Sequence, residues 1–175
     1  MTPESRTQTA PSFARAFRRW FLYERESHAK VLNALAAVPP DRREAPEFRK
    51  AVSLLAHIAE ARRLWLFRLG GLPGGPGLED MFPEGLTVDE VAERLEVMHR
   101  SWEQFLAHVD DERIAREFQY QSLEGEPFRN TIVDILTQLY GHSLYHRGQI
   151  ALLLRTMGAE PAVTDFVFWT REPVG

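Results

Sequence analysis

The chain contains no cysteine. That one absence excludes disulfides, thiolate metal sites, iron–sulfur clusters and a cysteine nucleophile. Any metal must then be held by His, Asp or Glu. Lysine is nearly absent too: Lys30 and Lys50 are the only two, and arginine makes up the rest of the basic residues. A basic excess is also missing, with 21 Lys and Arg against 25 Asp and Glu and a formal charge of −4. That argues against nucleic acid as a partner. No stretch approaches the roughly 18 uninterrupted apolar residues of a membrane span. Met1 to Ala10 lack an apolar signal core, so a cytoplasmic protein is expected. What remains is a chain of 175 residues, 44% hydrophobic and 26% charged. That is one domain's worth of sequence, long enough to bury a core without staples.

Periodicity predicts mostly helix. Residues 1–11 read as a polar, frayed start. Ser12 is a plausible N-cap, and Phe13, Phe17, Trp20, Phe21, Tyr23, Leu32 and Leu35 follow close to a 3.6 period. Pro39-Pro40 ends this helix. A second runs from about Glu47 to Leu69 and is broken by the Gly/Pro-rich segment 70–77. A third starts at Thr87 with Glu90 as its capping-box partner and carries apolar Val91, Leu95, Met98, Trp102, Phe105 and Val109. Glu117 to Gln121 alternates polar and aromatic residues ahead of a turn at 123–126, which is a hairpin signal. A fourth helix spans about Asn130 to Met157 and stops at Gly158. Residues 160–175 form an aromatic tail with Phe166, Phe168 and Trp169. The expected fold class is all-α: a four-helix bundle in one domain over 1–175, with a short hairpin between helices three and four.

The fourth helix carries the chemistry. Its core stripe reads Ile132, Ile135, Leu136, Leu139, His142, His146, Ile150, Leu153 and Met157. Two histidines thus stand where a bundle helix normally places Leu or Ile. An unpaired polar group there costs roughly 1–3 kcal/mol, so both want partners. Four residues apart, they project from one face about 6 Å apart at Cβ, and two imidazoles so placed can chelate one ion. Asp134 and Gln138 continue the same step of four, which extends a polar line toward the presumed core. A tight site needs a third ligand, and His28, His57, His99 and His108 are available. Helical-wheel geometry puts His57 about 80° from the centre of its helix's apolar face. On periodicity alone it has no decisive advantage over His28.

The run Tyr140-Gly141-His142-Ser143-Leu144-Tyr145-His146-Arg147-Gly148-Gln149-Ile150 resembles the signature of the DinB-like family. Ser53-Leu54-Leu55-Ala56-His57-Ile58, Trp65 and Asp165-Phe166 add to the likeness, which covers roughly residues 12–170. The resemblance implies a four-helix bundle whose metal ligands are His57, His142 and His146. It implies a divalent ion, Zn or Ni, and three neutral nitrogens do not choose between these. Three protein ligands with open positions are the pattern of a catalytic rather than a structural ion. Some relatives are thiol S-transferases that use low-molecular-weight thiols, and others isomerise maleylpyruvate. The expected function is therefore a metal-dependent transferase or hydrolase of small molecules, with a low-molecular-weight thiol among the partners. Relatives are often homodimers, and a non-catalytic dimeric metal- or ligand-binding module is the alternative.

Gln149, one turn from His146, either contacts the pocket or satisfies a histidine. Asp134 is the better candidate for a general base, ahead of Glu60, and the default for both is a solvated or capping carboxylate. Arg147 is expected in solvent, Tyr145 at a bundle edge or dimer contact, and Gly148 at a close helix approach. Glu96-x-x-His99 is half of a di-iron pattern whose second half is missing, which leaves His99 and His108 as surface or satisfied histidines. His-x-x-x-His with Ser at 143 is not the zincin motif. Arg15, Arg18, Arg19 and Arg25 read as a solvated face, and the 70–77 loop reads as a connector.

Overall fold

A computed structural model describes residues 12–174. The expectation of fraying at 1–11 lies outside the described residues. The chain is mostly helical: α1 (Phe13–Ala36), a 3-10 turn (Pro40–Arg42), α2 (Pro46–Arg68), α3 (Val88–Ala107), α4 (Asp111–Ile114), α5 (Ile132–Thr156) and α6 (Phe166–Thr170). Strands β1 (Glu117–Gln121) and β2 (Pro127–Thr131) pair antiparallel, with Glu117 opposite Thr131 and Gln121 opposite Pro127. None of these helices is long and apolar enough to cross a membrane.

The helix ends follow from local chemistry. Ser12 accepts from the Arg15 N–H, and Asp111 reaches across from α4 to accept from the Ala14 N–H. Thr87 and Glu90 form the expected capping box at α3. Thr131 and Asp134 form a second one at α5, so the last residue of β2 caps the helix that follows. Gly158, at φ +69, closes α5 in a Schellman turn, with Ala159 N–H bonded to Leu154 O and Gly158 N–H to Arg155 O. Arg18, expected in solvent, donates instead to the Leu106 and Val109 carbonyls and so caps the end of α3 from α1.

The four long helices contribute to one core. Phe17, Phe21 and Leu35 from α1 meet Leu55, Ile58 and Leu66 from α2, Leu95, Met98 and Trp102 from α3, and Ile135, Leu139, Ile150 and Leu154 from α5. α2 is the innermost element, buried almost continuously from Ala51 to Arg62. Four alanines in that stretch (Ala51, Ala56, Ala59, Ala61) let its neighbours approach closely. α2 and α5 make the most extensive helix pair, and this is the pair that carries the candidate site. The tail folds back on α1: Phe166 packs edge-on against Tyr23, and Trp169 Nε1 donates to Glu26.

Candidate metal centre

His57 from α2 and His142 and His146 from α5 converge. Their Nε2 atoms meet at His142, which lies 3.1 Å from His57 Nε2 and 3.1 Å from His146 Nε2. His57 and His146 are buried and His142 is half-buried. Among the described residues this is the one group of three or more His, Asp or Glu side chains able to hold a metal ion, its ligand atoms all within 4.8 Å of one another.

The outer nitrogens determine what the inner ones can do. His57 Nδ1 lies 2.5 Å from the Met81 carbonyl, which can only accept. The proton therefore sits on Nδ1, and Nε2 presents a lone pair. His146 Nδ1 lies 2.7 Å from Gln149 Oε1, which imposes the same tautomer. His142 Nδ1 is buried without a partner. Two lone pairs thus face a third imidazole nitrogen at hydrogen-bond distance, and one proton on His142 can satisfy only one of them. A divalent cation satisfies all three, so the donor set fits such an ion.

The electrostatics favour the ligand form. Burial lowers the proton affinity of all three rings. His142 falls to about 3, helped by the charges of His146, His57 and Arg62. His57 is lowered by burial and by His146 and Lys50, against the opposing bond to Met81. His146 is lowered by burial and by Lys50, against the opposing bond to Gln149. Neutral imidazoles are what a metal requires.

The loop between α2 and α3 contributes more than connection. Phe82 lies flat on the His57 ring, with centroids 4.0 Å apart and planes 6° from parallel. Met81 is buried beside it. Neither residue has a motif that sequence reading could detect; the Gly/Pro run ahead of them indicated only a break in structure.

Several expectations need correction. Asp134 does not lie on the histidine stripe. It is exposed at the first turn of α5, accepting from the Thr131 N–H and hydroxyl, which hold its carboxyl below the usual range. A step of four overshoots a full turn by about 40°, so two steps back from His142 reach the surface. Gln138 is exposed for the same reason. Glu60 is neither solvated nor a cap, because it is fully buried and paired with Arg63 at 2.7 Å and Arg94 at 2.8 Å. Arg147 is buried, not solvated: it donates to the Tyr23 hydroxyl at 2.7 Å, and that hydroxyl donates to the Thr164 carbonyl in the tail. Gly148 meets no close neighbour, and an added Cβ there would find open space. His99 is the satisfied histidine, buried against His28, while His108 bonds the Gln104 carbonyl at the surface. Trp65 packs edge-on against Tyr120 and so joins α2 to the hairpin.

Comparison with known proteins agrees with this picture. The model of the DinB family matches residues 11–173. Protein DinB of Bacillus subtilis (strain 168) is 24% identical over 146 residues, covering 80% of this chain and 85% of that one. The crystal structure of a DinB-like protein from Bacillus cereus ATCC 10987 superposes with a TM-score of 0.63 at 20% identity, over 89% of this chain and 99% of that one. At that identity the structural likeness speaks for the fold.

Proposed function

The chain belongs to the DinB family, and from that premise we propose that it is a divalent-metal protein, with His57, His142 and His146 as ligands, acting as a transferase or hydrolase on small molecules. The observation that carries the reading is the shared orientation of the imidazoles: Met81 and Gln149 occupy the outer nitrogens of His57 and His146, and the inner nitrogens meet at one point. The fold is read as a four-helix bundle forming one domain. Zn and Ni both suit three neutral nitrogens. When bound, such an ion supplies Lewis acidity and holds a thiol as thiolate, which suits a thiol S-transferase with a low-molecular-weight thiol as co-substrate.

The protein's own groups do the rest. Gln149 fixes the ring of His146 and keeps its proton on Nδ1. The Met81 carbonyl does the same for His57, and Phe82 shields that ring from water on one face. Asp134 serves its helix as a cap. The assembly is proposed to be a homodimer, for which the exposed Phe168, Tyr145 and Leu152 offer apolar surface.

Elemental analysis of purified, untagged protein tests the metal: about one Zn or Ni per chain is expected, and none in His142→Ala. The loaded protein is then screened against low-molecular-weight thiols and electrophiles. Turnover absent from His146→Ala supports the transferase. A metal-loaded protein with no turnover above that variant favours a binding module instead. Sedimentation at micromolar concentration that shows only a 20 kDa species would overturn the dimer.

A further inference from the structure

α2 carries a polar line away from His57. Ser53 lies one turn before it and Lys50 two turns before it, with Arg49 beside Lys50. Spacings of four and seven residues keep Ser53 and Lys50 on the same side of the helix as His57. A cavity of about 290 Å³ opens along this line, walled by Pro46, Arg49, Lys50, Ser53, Glu84 and Gly85. Of its lining residues, Lys50 reaches toward the histidines by way of the Phe82 ring. Phe82 lies 4.0 Å from His57 by centroid, and Lys50 Nζ lies 5.4 Å from the centroid of the same Phe82.

The charges in the wall are unequal in availability. Arg49 is already engaged by Glu44 at 3.1 Å. Lys50 forms no ion pair among the described residues. Glu84 also lines the cavity and repels a doubly charged guest. One ammonium without an ion pair and a buried serine, with a carboxylate also in the lining, suit a guest of a single negative charge such as a carboxylate. A phosphate dianion would leave its second charge unpaired beside Glu84. The volume suits a small molecule and is too small for a folded partner.

We infer that Lys50 and Ser53 form a subsite for the carboxylate of a small monoanionic substrate whose other end engages the three-histidine centre. The inference rests on the metal reading above and assigns the charge of the substrate to that site. Lys50 supplies attraction and a charged hydrogen bond; Ser53 supplies a hydroxyl donor.

Cobalt(II) in place of the native ion gives a visible spectrum, and thiolate ligation adds a charge-transfer band. Two probes are titrated into the cobalt-loaded protein: 3-mercaptopropionate, which carries a carboxylate, and 2-mercaptoethanol, which does not. Lys50→Met is expected to weaken 3-mercaptopropionate about tenfold and leave 2-mercaptoethanol unchanged. Equal weakening of both probes, or of neither, overturns the subsite. Failure to take up cobalt would sink the metal reading and leave the carboxylate subsite to be tested by itself. The subsite is then read in metal-free protein from amide chemical shifts around Lys50 and Ser53. Shifts specific to 3-mercaptopropionate and lost in Lys50→Met support it, and their absence overturns it.

Discussion

His28 and His99 meet between α1 and α3 through one contact of 3.1 Å; His57, His142 and His146 meet between α2 and α5 through two contacts of the same length. In the pair the contact joins Nδ1 of one ring to Nε2 of the other, and the rings stack 12° from parallel. One proton satisfies that contact, with one nitrogen donating and the other accepting. In the trio all the meeting atoms are Nε2, and two of the outer nitrogens are already engaged by acceptors. No single proton can close that arrangement. Neighbouring positive charge does not separate them, since Arg62, Arg147 and Arg25 bear on the pair and Arg62 and Lys50 bear on the trio. Buried histidines therefore become a metal site or a core contact according to what their far nitrogens touch.

The sharpest way to break this comparison is to add zinc and follow thermal unfolding. A ligand that binds only the folded state, at a thousandfold excess over its dissociation constant, stabilises it by about 4 kcal/mol. Wild type and His99→Ala are expected to gain comparably. His57→Ala is expected to gain little, because two imidazoles remain. An equal gain in all three proteins would mean that zinc binds elsewhere.

The next effect concerns the groups behind the ligands. Gln149→Ala removes the acceptor that holds the His146 tautomer while leaving every ligand in place. Losses of about 10–100-fold in metal affinity are typical of such changes. A competition titration with a chelator dye measures this. Unchanged affinity would reduce Gln149 to surface filling. Stability of the metal-free protein should move little, since Gln149 is only half-buried.

The fold's outline was legible where a short signal carries its own mechanism. Ser12, Thr87 with Glu90, and Gly158 each mark an end through a hydrogen bond or a backbone angle that involves only neighbours in sequence. The pairing of His142 with His146 was legible for the same reason, as a matter of helical spacing. His57 was not legible from periodicity. A helix buried on nearly all sides has no single apolar face for a residue to be central to, so its wheel misleads. The partners of Arg147 were also out of reach, because Tyr23 lies 124 positions away and is held in turn by the tail. The family resemblance, not the wheel, selected His57 over His28.

Acid tests the pair through the stability of the fold. Burial lowers the His99 proton affinity from 6.5 to about 3. Below pH 6.5 the unfolded chain takes up a proton that the folded ring refuses. Stability is therefore full above that pH and falls as pH drops toward about 3. The slope from this ring reaches about 1.4 kcal/mol per pH unit. His99→Gln keeps a group able to bond His28 but does not titrate. Denaturant unfolding at pH 7, 6 and 5 should show a shallower decline in the variant, by about half that amount from pH 7 to 6 and by nearly all of it from pH 6 to 5. Parallel declines would mean that His99 is protonated within the fold.

The smallest effect tests whether α5 separates its cap from its ligands. Asp134 and His142 are eight residues apart, about 12 Å along the axis, and differ by about 80° around it. Asp134 accepts from both the N–H and the hydroxyl of Thr131, and Thr131 accepts in return from the Asp134 N–H. Asp134→Ala therefore removes half of a capping box, worth about 1 kcal/mol of stability. Asp134→Asn keeps an acceptor oxygen and should recover part of that loss. Both variants should bind metal as wild type does, since nothing in the box touches a histidine. A loss of metal affinity in Asp134→Ala that Asp134→Asn does not restore would show that the carboxylate's charge is felt at the site, and would reinstate Asp134 as a functional group rather than a cap.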